Sequence, residues 1–270
     1  MTGEPEEKVR LGGMALRNGI LVHSFDHWAA AVRTPAGEIK MASGRKPDLP
    51  EVLVGTPVVR GVARMAEVAY LLPTIRRRLP EARLPFEAPG MGAALAASAL
   101  ISTVARRSKL PVAAAEAVAV GMSLVPALLA IRGSQVAGYH GAEHKAIGGY
   151  EQDTDAIDVT KEHERCGSHM VGPMLVATAA GSTLVARMPA GRRGPARLLT
   201  GMAAVGVAAE TFSWMTRHPD NRLARTLSRP GYELQRVAAT REPTAEELEV
   251  AKTALNEVLR LERAALNDTL

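Results

Sequence analysis

The chain has 270 residues, 23% charged and 47% apolar: room for one large domain or two small ones, and too apolar for global disorder. Aromatics are only 3%, leaving little material for stacked bases or aromatic cages, and the single cysteine, Cys166, excludes an intrachain disulfide framework. A formal charge of +5 allows attraction to anionic lipid or nucleic acid but specifies neither.

Mean hydropathy near zero in so charged a chain means that the apolar residues are concentrated in a few segments. The N-terminal polar region, residues 1–87, is not one of them. Met1 to Arg10 is acidic and no apolar run follows, so no signal peptide is expected. Leu11 to Met41 reads as short β structure, with Trp28–Arg33 and Glu38–Met41 flanking the turn Thr34-Pro35-Ala36-Gly37. Gly12-Gly13 and Asn18-Gly19 mark positive φ or close backbone approach. From Pro57 to Arg78, Val58, Val62, Met65, Val68, Ala69 and Leu72 recur at helical spacing, suiting either an interfacial helix or an amphipathic helix against the core.

Residues 88–131 form the first apolar pair: Ala88 to Ala105 without a charge, a basic turn, then Leu110 to Ile131 with one acid, Glu116. Residues 170–216 form the second: Met170 to Ala186, a turn rich in arginine, then Leu198 to Thr216 with one acid, Glu210. Their length predicts four transmembrane helices in two hairpins, and their small residues suit close helix contact in lipid. The alternative is a soluble bundle of Ala-rich buried helices. The expected location is the cell (inner) membrane, multi-pass. The absence of an export signal favours cytoplasmic polar domains, although both hairpin turns are also basic. Residues 217–270 end in a long helix opened by the capping box Thr244-Ala245-Glu246-Glu247 and striped by Leu248, Ala251, Leu255, Val258 and Leu259.

The chemistry gathers in the central segment, residues 132–169, which holds four of the seven histidines. On a helix, His140 and His144 share a face one turn apart, and Glu143 lies beside them. The pattern is H-x-x-E-H, the inverted zinc-peptidase helix, in which the carboxylate takes a proton from water that the metal polarises. A divalent transition metal is expected, zinc first, with iron or manganese as alternatives. A third ligand is needed. Glu210 is one candidate, because an acid within an apolar span usually has a partner or a function. His163 with Cys166, three residues apart, is the rival, and His218 is another. Cys166 as a nucleophile activated by His163 or His169 is a further alternative.

Gly12-Gly13-Met14, Pro57-Val58-Val59-Arg60-Gly61, Tyr139-His140-Gly141-Ala142-Glu143-His144-Lys145, Arg165-Cys166-Gly167, Arg217-His218-Pro219 and Thr240-Arg241-Glu242-Pro243 follow in an order seen in one bacterial family. The sequence resembles the YqhQ-like membrane proteins, a domain-of-unknown-function family (DUF1385), from about Leu11 to Leu259. The resemblance implies an integral membrane protein and a metal-dependent enzyme, the label the family has been given. Asn18 stands where the family usually carries an acid, and Ser168 replaces a threonine.

The expected fold class is a mainly α membrane protein, with four transmembrane helices and a small mixed α/β polar domain. The leading function is a metal-dependent hydrolase, a peptidase being one form, with Glu143 as general base and ligands drawn from His140, His144, Glu210, His163 and Cys166. A non-enzymatic membrane scaffold or assembly factor, with a structural metal or none, is the second class. A carrier using Glu116 and Glu210 as relay groups is the third. The lipid bilayer is the expected partner, a homo-oligomer is left open, and nucleic acid is not expected, because topology already explains basic residues at helix ends.

Overall fold

The computed structural model of the protein describes residues 8–131 and 135–268. The acidic start and the first residues of the central segment lie outside them.

Four strands, β1 (Gly12–Ala15), β2 (Gly19–His23), β3 (His27–Arg33) and β4 (Ile39–Arg45), form an antiparallel meander in that order. The predicted hairpin closes with Arg33 opposite Ile39, and Gly37 takes φ 87°, where a side chain would be strained. Period-2 alternation sends Ile20, Val22, Ala29 and Ala31 to one face and Leu21, Trp28, Ala30 and Val32 to the other. Both faces are covered. The run Ala29-Ala30-Ala31 lets helices approach closely on each side. Asn18 is a structural knot: its side chain donates to the carbonyls of Arg33 and Glu81 and accepts from the Arg83 N–H.

A short helix α1 (Glu51–Gly55) leads to α2 (Val59–Arg78), whose Leu71 and Ile75 close the face bearing Trp28. This settles the two readings of that helix for its second half: Arg76 and Arg78 bend back to the carbonyls of Ala82 and Ser43, in the polar domain. The opposite face is covered by α5 (Gln135–Gln152), through Tyr139, Ala142 and Ala146, and by the last helix, Ala245–Asp268, through Val250, Ala254 and Val258. The capping box forms as predicted, Glu247 N–H donating to Thr244 Oγ1 at 3.2 Å and Thr244 N–H to the Glu247 carboxylate at 2.9 Å.

The apolar segments fold into α3 (Met91–Arg107), α4 (Val112–Ile131), α6 (Val171–Ala186) and α7 (Arg193–Arg217), paired as two hairpins. Among the described residues three helical stretches, not the four expected, are long and apolar enough to cross a membrane: Ala114–Ile131, Gly167–Ala186 and Ala190–Arg217. The shortfall is α3. Ala88 to Gly90 form the turn into the helix, with Gly90 at φ 80°, and only 17 residues remain. At the helical rise that is about 26 Å, short of a hydrocarbon core of about 30 Å. Between 22% and 33% of each candidate stretch is buried within the protein, so most of its apolar surface faces outward, with Leu129, Val176, Leu184, Leu198 and Leu199 exposed. Glu116 does not stand free as a relay: it accepts from Arg106 of α3 at 3.1 Å and lies 3.6 Å from Arg197 of α7, joining the hairpins. After α7 come α8 (Arg222–Leu234), a π-helical turn over Gln235–Ala239, and the Ala245–Asp268 helix, α9.

Candidate metal centre

Helix α5 is buried along nearly its whole length, which is why its sequence shows no polar stripe. Small residues make this possible. A side chain at Gly141 would meet the Arg241 carbonyl at 2.2 Å, and that loop supports the histidine helix. His140 and His144 project one turn apart, with ring centroids 4.4 Å apart. The Nδ1 of His140 faces the Ala239 carbonyl at 2.9 Å, and that of His144 faces the Lys161 carbonyl at 2.6 Å. A carbonyl only accepts, so each Nδ1 carries the proton and each Nε2 keeps its lone pair. This is the support that metal-binding histidines ordinarily have.

Cys166 completes the group. One ligand atom each from His140, His144 and Cys166 lies within 4.8 Å of the others, and Cys166 Sγ is 3.5 Å from His140 Nε2. Tetrahedral zinc places its ligand atoms about 3.5 Å apart, so the donor set fits that ion with little movement. Sγ also accepts from the Ser168 N–H at 3.4 Å, while burial raises the thiol's pKa. A raised pKa disfavours Cys166 as a free nucleophile.

One segment positions the whole group. The buried Gln235 accepts from His163 N–H at 2.8 Å and donates to the His163 carbonyl and Ser168 Oγ, clamping the loop that carries Cys166. Four residues on, at the end of the π-helical turn, Ala239 supplies the carbonyl for His140. Gln235 was invisible in the sequence, because its partners lie 66 to 72 residues away.

Glu143 sits next to His144 with its carboxylate buried, one oxygen against Gly13 of β1 and the other, Oε2, without a hydrogen-bond partner. Burial pushes it up to about 8, the nearby Cys166 adding to the rise and His140 opposing it. Burial likewise lowers the pKa of His144 well below the usual imidazole range, the proximity of His140 adding to it, so its ring is neutral and ligand-competent.

The other predicted ligands lie elsewhere. Glu210 is engaged by the Arg60 guanidinium through two contacts and by the Val58 N–H at 3.1 Å, an α2–α7 clasp remote from the histidines. His163 stands beside the group, its ring 5.5 Å from His144, but both nitrogens are used: Nε2 pairs with Glu151 at 3.1 Å and Nδ1 accepts from the Arg165 N–H. His169 is tied to the Ser228 carbonyl and His218 stacks on Trp214 at the end of α7. Glu151, twelve residues upstream, and the Arg165 N–H inside the H-x-x-C segment itself take up the His163 ring that the spacing offered.

The fold and this donor set define a mainly helical protein with a small antiparallel sheet and a buried His/His/Cys group. Residues 99–261 match the family described as "Protein of unknown function (DUF1385)", more than half of the chain, and the protein belongs to that family. It is 26% identical over 296 residues to a Bacillus subtilis (strain 168) protein named "Uncharacterized protein YqhQ", covering 93% of this chain and 92% of that one. No solved structure gives a significant match. The matched region holds His140, Glu143, His144, Cys166 and Gln235, whereas Gly13 precedes it.

Proposed function

We propose that the protein is an integral membrane metalloenzyme of hydrolytic type, with His140, His144 and Cys166 as ligands and Glu143 as the general base. The observation that carries this reading is the pairing of three convergent donors with a buried carboxylate whose Oε2 has no hydrogen-bond partner. Two imidazoles and a sulfur favour zinc over manganese, and three protein ligands are the number found at catalytic zinc sites, where a fourth position stays open. Bound there, the ion would supply Lewis-acid polarisation of a water and of the scissile carbonyl or ester. The Ala239 and Lys161 carbonyls hold the imidazoles in the ligating tautomer, and Gln235 holds the thiol loop. Glu143 takes the proton from the attacking water at its free oxygen, and Gly13 leaves room for the carboxylate to turn.

The outward apolar faces of the three candidate spans support insertion in a membrane, and the place of Cys166 immediately before the Gly167–Ala186 stretch supports chemistry at a membrane boundary. The carrier reading loses its relay groups to the Arg106 and Arg60 ion pairs. The test is metal content by mass spectrometry on detergent-purified protein, wild type beside H140A/H144A and C166S. Near-stoichiometric zinc in the wild type and its loss in the variants is the expected result. A folded wild type that refuses zinc, iron and manganese would sink the reading and leave the scaffold.

A further inference from the structure

Beyond the metal group lies a cleft of about 980 Å³ whose lining includes Arg165, Arg222, Arg225, Arg229 and Tyr232. It is built largely on α8: positions 222, 225, 226, 229, 232 and 233 line it at helical spacing, with the buried Ala224 and the half-buried Ser228 at its floor, while Gly231 turns inward to the protein. Arg222, Arg225 and Arg229 are exposed, and among the described residues their guanidinium groups make no salt bridge and no hydrogen bond. Most other arginines of the polar domain do, as Arg60, Arg64 and Arg241 illustrate. The cleft's two acids do not neutralise it. Glu233 is held by Arg236, and Glu164 is a single charge against four arginines, one of which, Arg165, is occupied by Glu151.

The position of this face matters as much as its charge. The cleft is closed by Met215 and Thr216, from the last turn of the Ala190–Arg217 stretch, and by His169, from the first turn of Gly167–Ala186. It therefore opens where two candidate spans meet the polar domain. That is the depth at which headgroup phosphates lie, and Tyr232 is the amphipathic ring usual at that level. Guanidinium groups match phosphate geometry through paired N–H donors.

We propose that this cleft is a binding site for the phosphodiester headgroup of an anionic membrane lipid, held by Arg222, Arg225 and Arg229. The site rests on the membrane reading of the spans and is independent of the metal. The test is native mass spectrometry of the full-length protein in detergent with added dioleoyl phosphatidylglycerol, dioleoyl phosphatidylcholine or glycerol phosphate. Phosphatidylglycerol is expected to be retained, and phosphatidylcholine and glycerol phosphate are not. Retention should weaken about fivefold per arginine removed, on the order of a hundredfold in R222Q/R225Q/R229Q. R263Q on α9 should leave it unchanged, as should chelation of metal, which separates a failure here from a failure of the hydrolase reading. Should the triple variant elute as aggregate, R225Q decides, with R225K expected to restore most binding. Equal retention of both lipids, equal binding of glycerol phosphate, or a folded glutamine variant that binds as wild type would each overturn the proposal.

Discussion

Replacing Glu143 by glutamine removes a buried carboxyl with an unpartnered oxygen, and its consequence for stability can be worked from the structure. An ordinary carboxyl titrates near 4.5, whereas burial holds this one at about 8. The folded metal-free protein therefore binds a proton that the unfolded chain has released throughout that window. For a group whose folded pKa is raised, stability is fully present below 4.5 and is lost as pH rises through 8. At pH 7 the gap from 4.5 is two and a half units, which at about 1.4 kcal/mol per unit comes to about 3 kcal/mol. Glu143→Gln keeps the shape and cannot ionise, so in chelator-treated protein it should be more stable than wild type at pH 7 by on the order of 3 kcal/mol, and by somewhat more at pH 8. Near pH 5 the two should be almost equal. Thermal unfolding in detergent, followed by the fluorescence of the buried Trp28 from pH 5 to pH 8.5, reads this directly. With zinc restored, the carboxylate's charge is compensated and the wild type should recover most of the difference, while any hydrolytic turnover is lost in the variant. Parallel stability curves for wild type and variant across that range would refute the placement of Glu143 in a dry site.

His144 gives the opposite sign: its folded pKa is lowered, so its contribution is present above the usual imidazole pKa of 6.5 and is lost below it, and the metal-free H144Q variant should tolerate pH 5 better than wild type in the same unfolding assay. Gln235→Ala strips the clamp on the Cys166 loop; three hydrogen bonds at about 1 kcal/mol each predict a loss of about 3 kcal/mol in denaturant unfolding. Its zinc affinity should fall about 10- to 100-fold in competition with a chelating dye, and unchanged affinity would remove Gln235 from the site. Gly13→Ala would place a methyl 2.6 Å from the Glu143 carboxylate, so it should cost about 1–3 kcal/mol and disturb turnover more than metal content. Arg60→Gln frees Glu210 within its span and should lower thermal stability without changing metal content, whereas metal loss in that variant would restore Glu210 as a ligand.

Much of this protein was readable in order along the chain. The capping box at Thr244, the turn at Thr34–Gly37 and the histidine pair on one helical face depend on neighbours within a few residues, and each forms as its local chemistry requires. The apolar runs were equally visible, and their number was misjudged only where Gly90 delays a helix by three residues and leaves it too short. Which of the candidate ligands stands beside the histidine pair was not readable, because it depends on which distant segments share a core. Spacing paired His163 with Cys166, but Glu151 and the Arg165 N–H occupy the His163 ring. Burial cost singled out Glu210, but Arg60 answers it from another helix. By itself the sequence determined which helices form and which residue types can bind a metal, since propensity and periodicity act locally. Only the tertiary structure decided that Cys166 joins His140 and His144, because Gln235 and the carbonyl of Ala239 hold both sides of the group from a segment about 70 to 100 residues away.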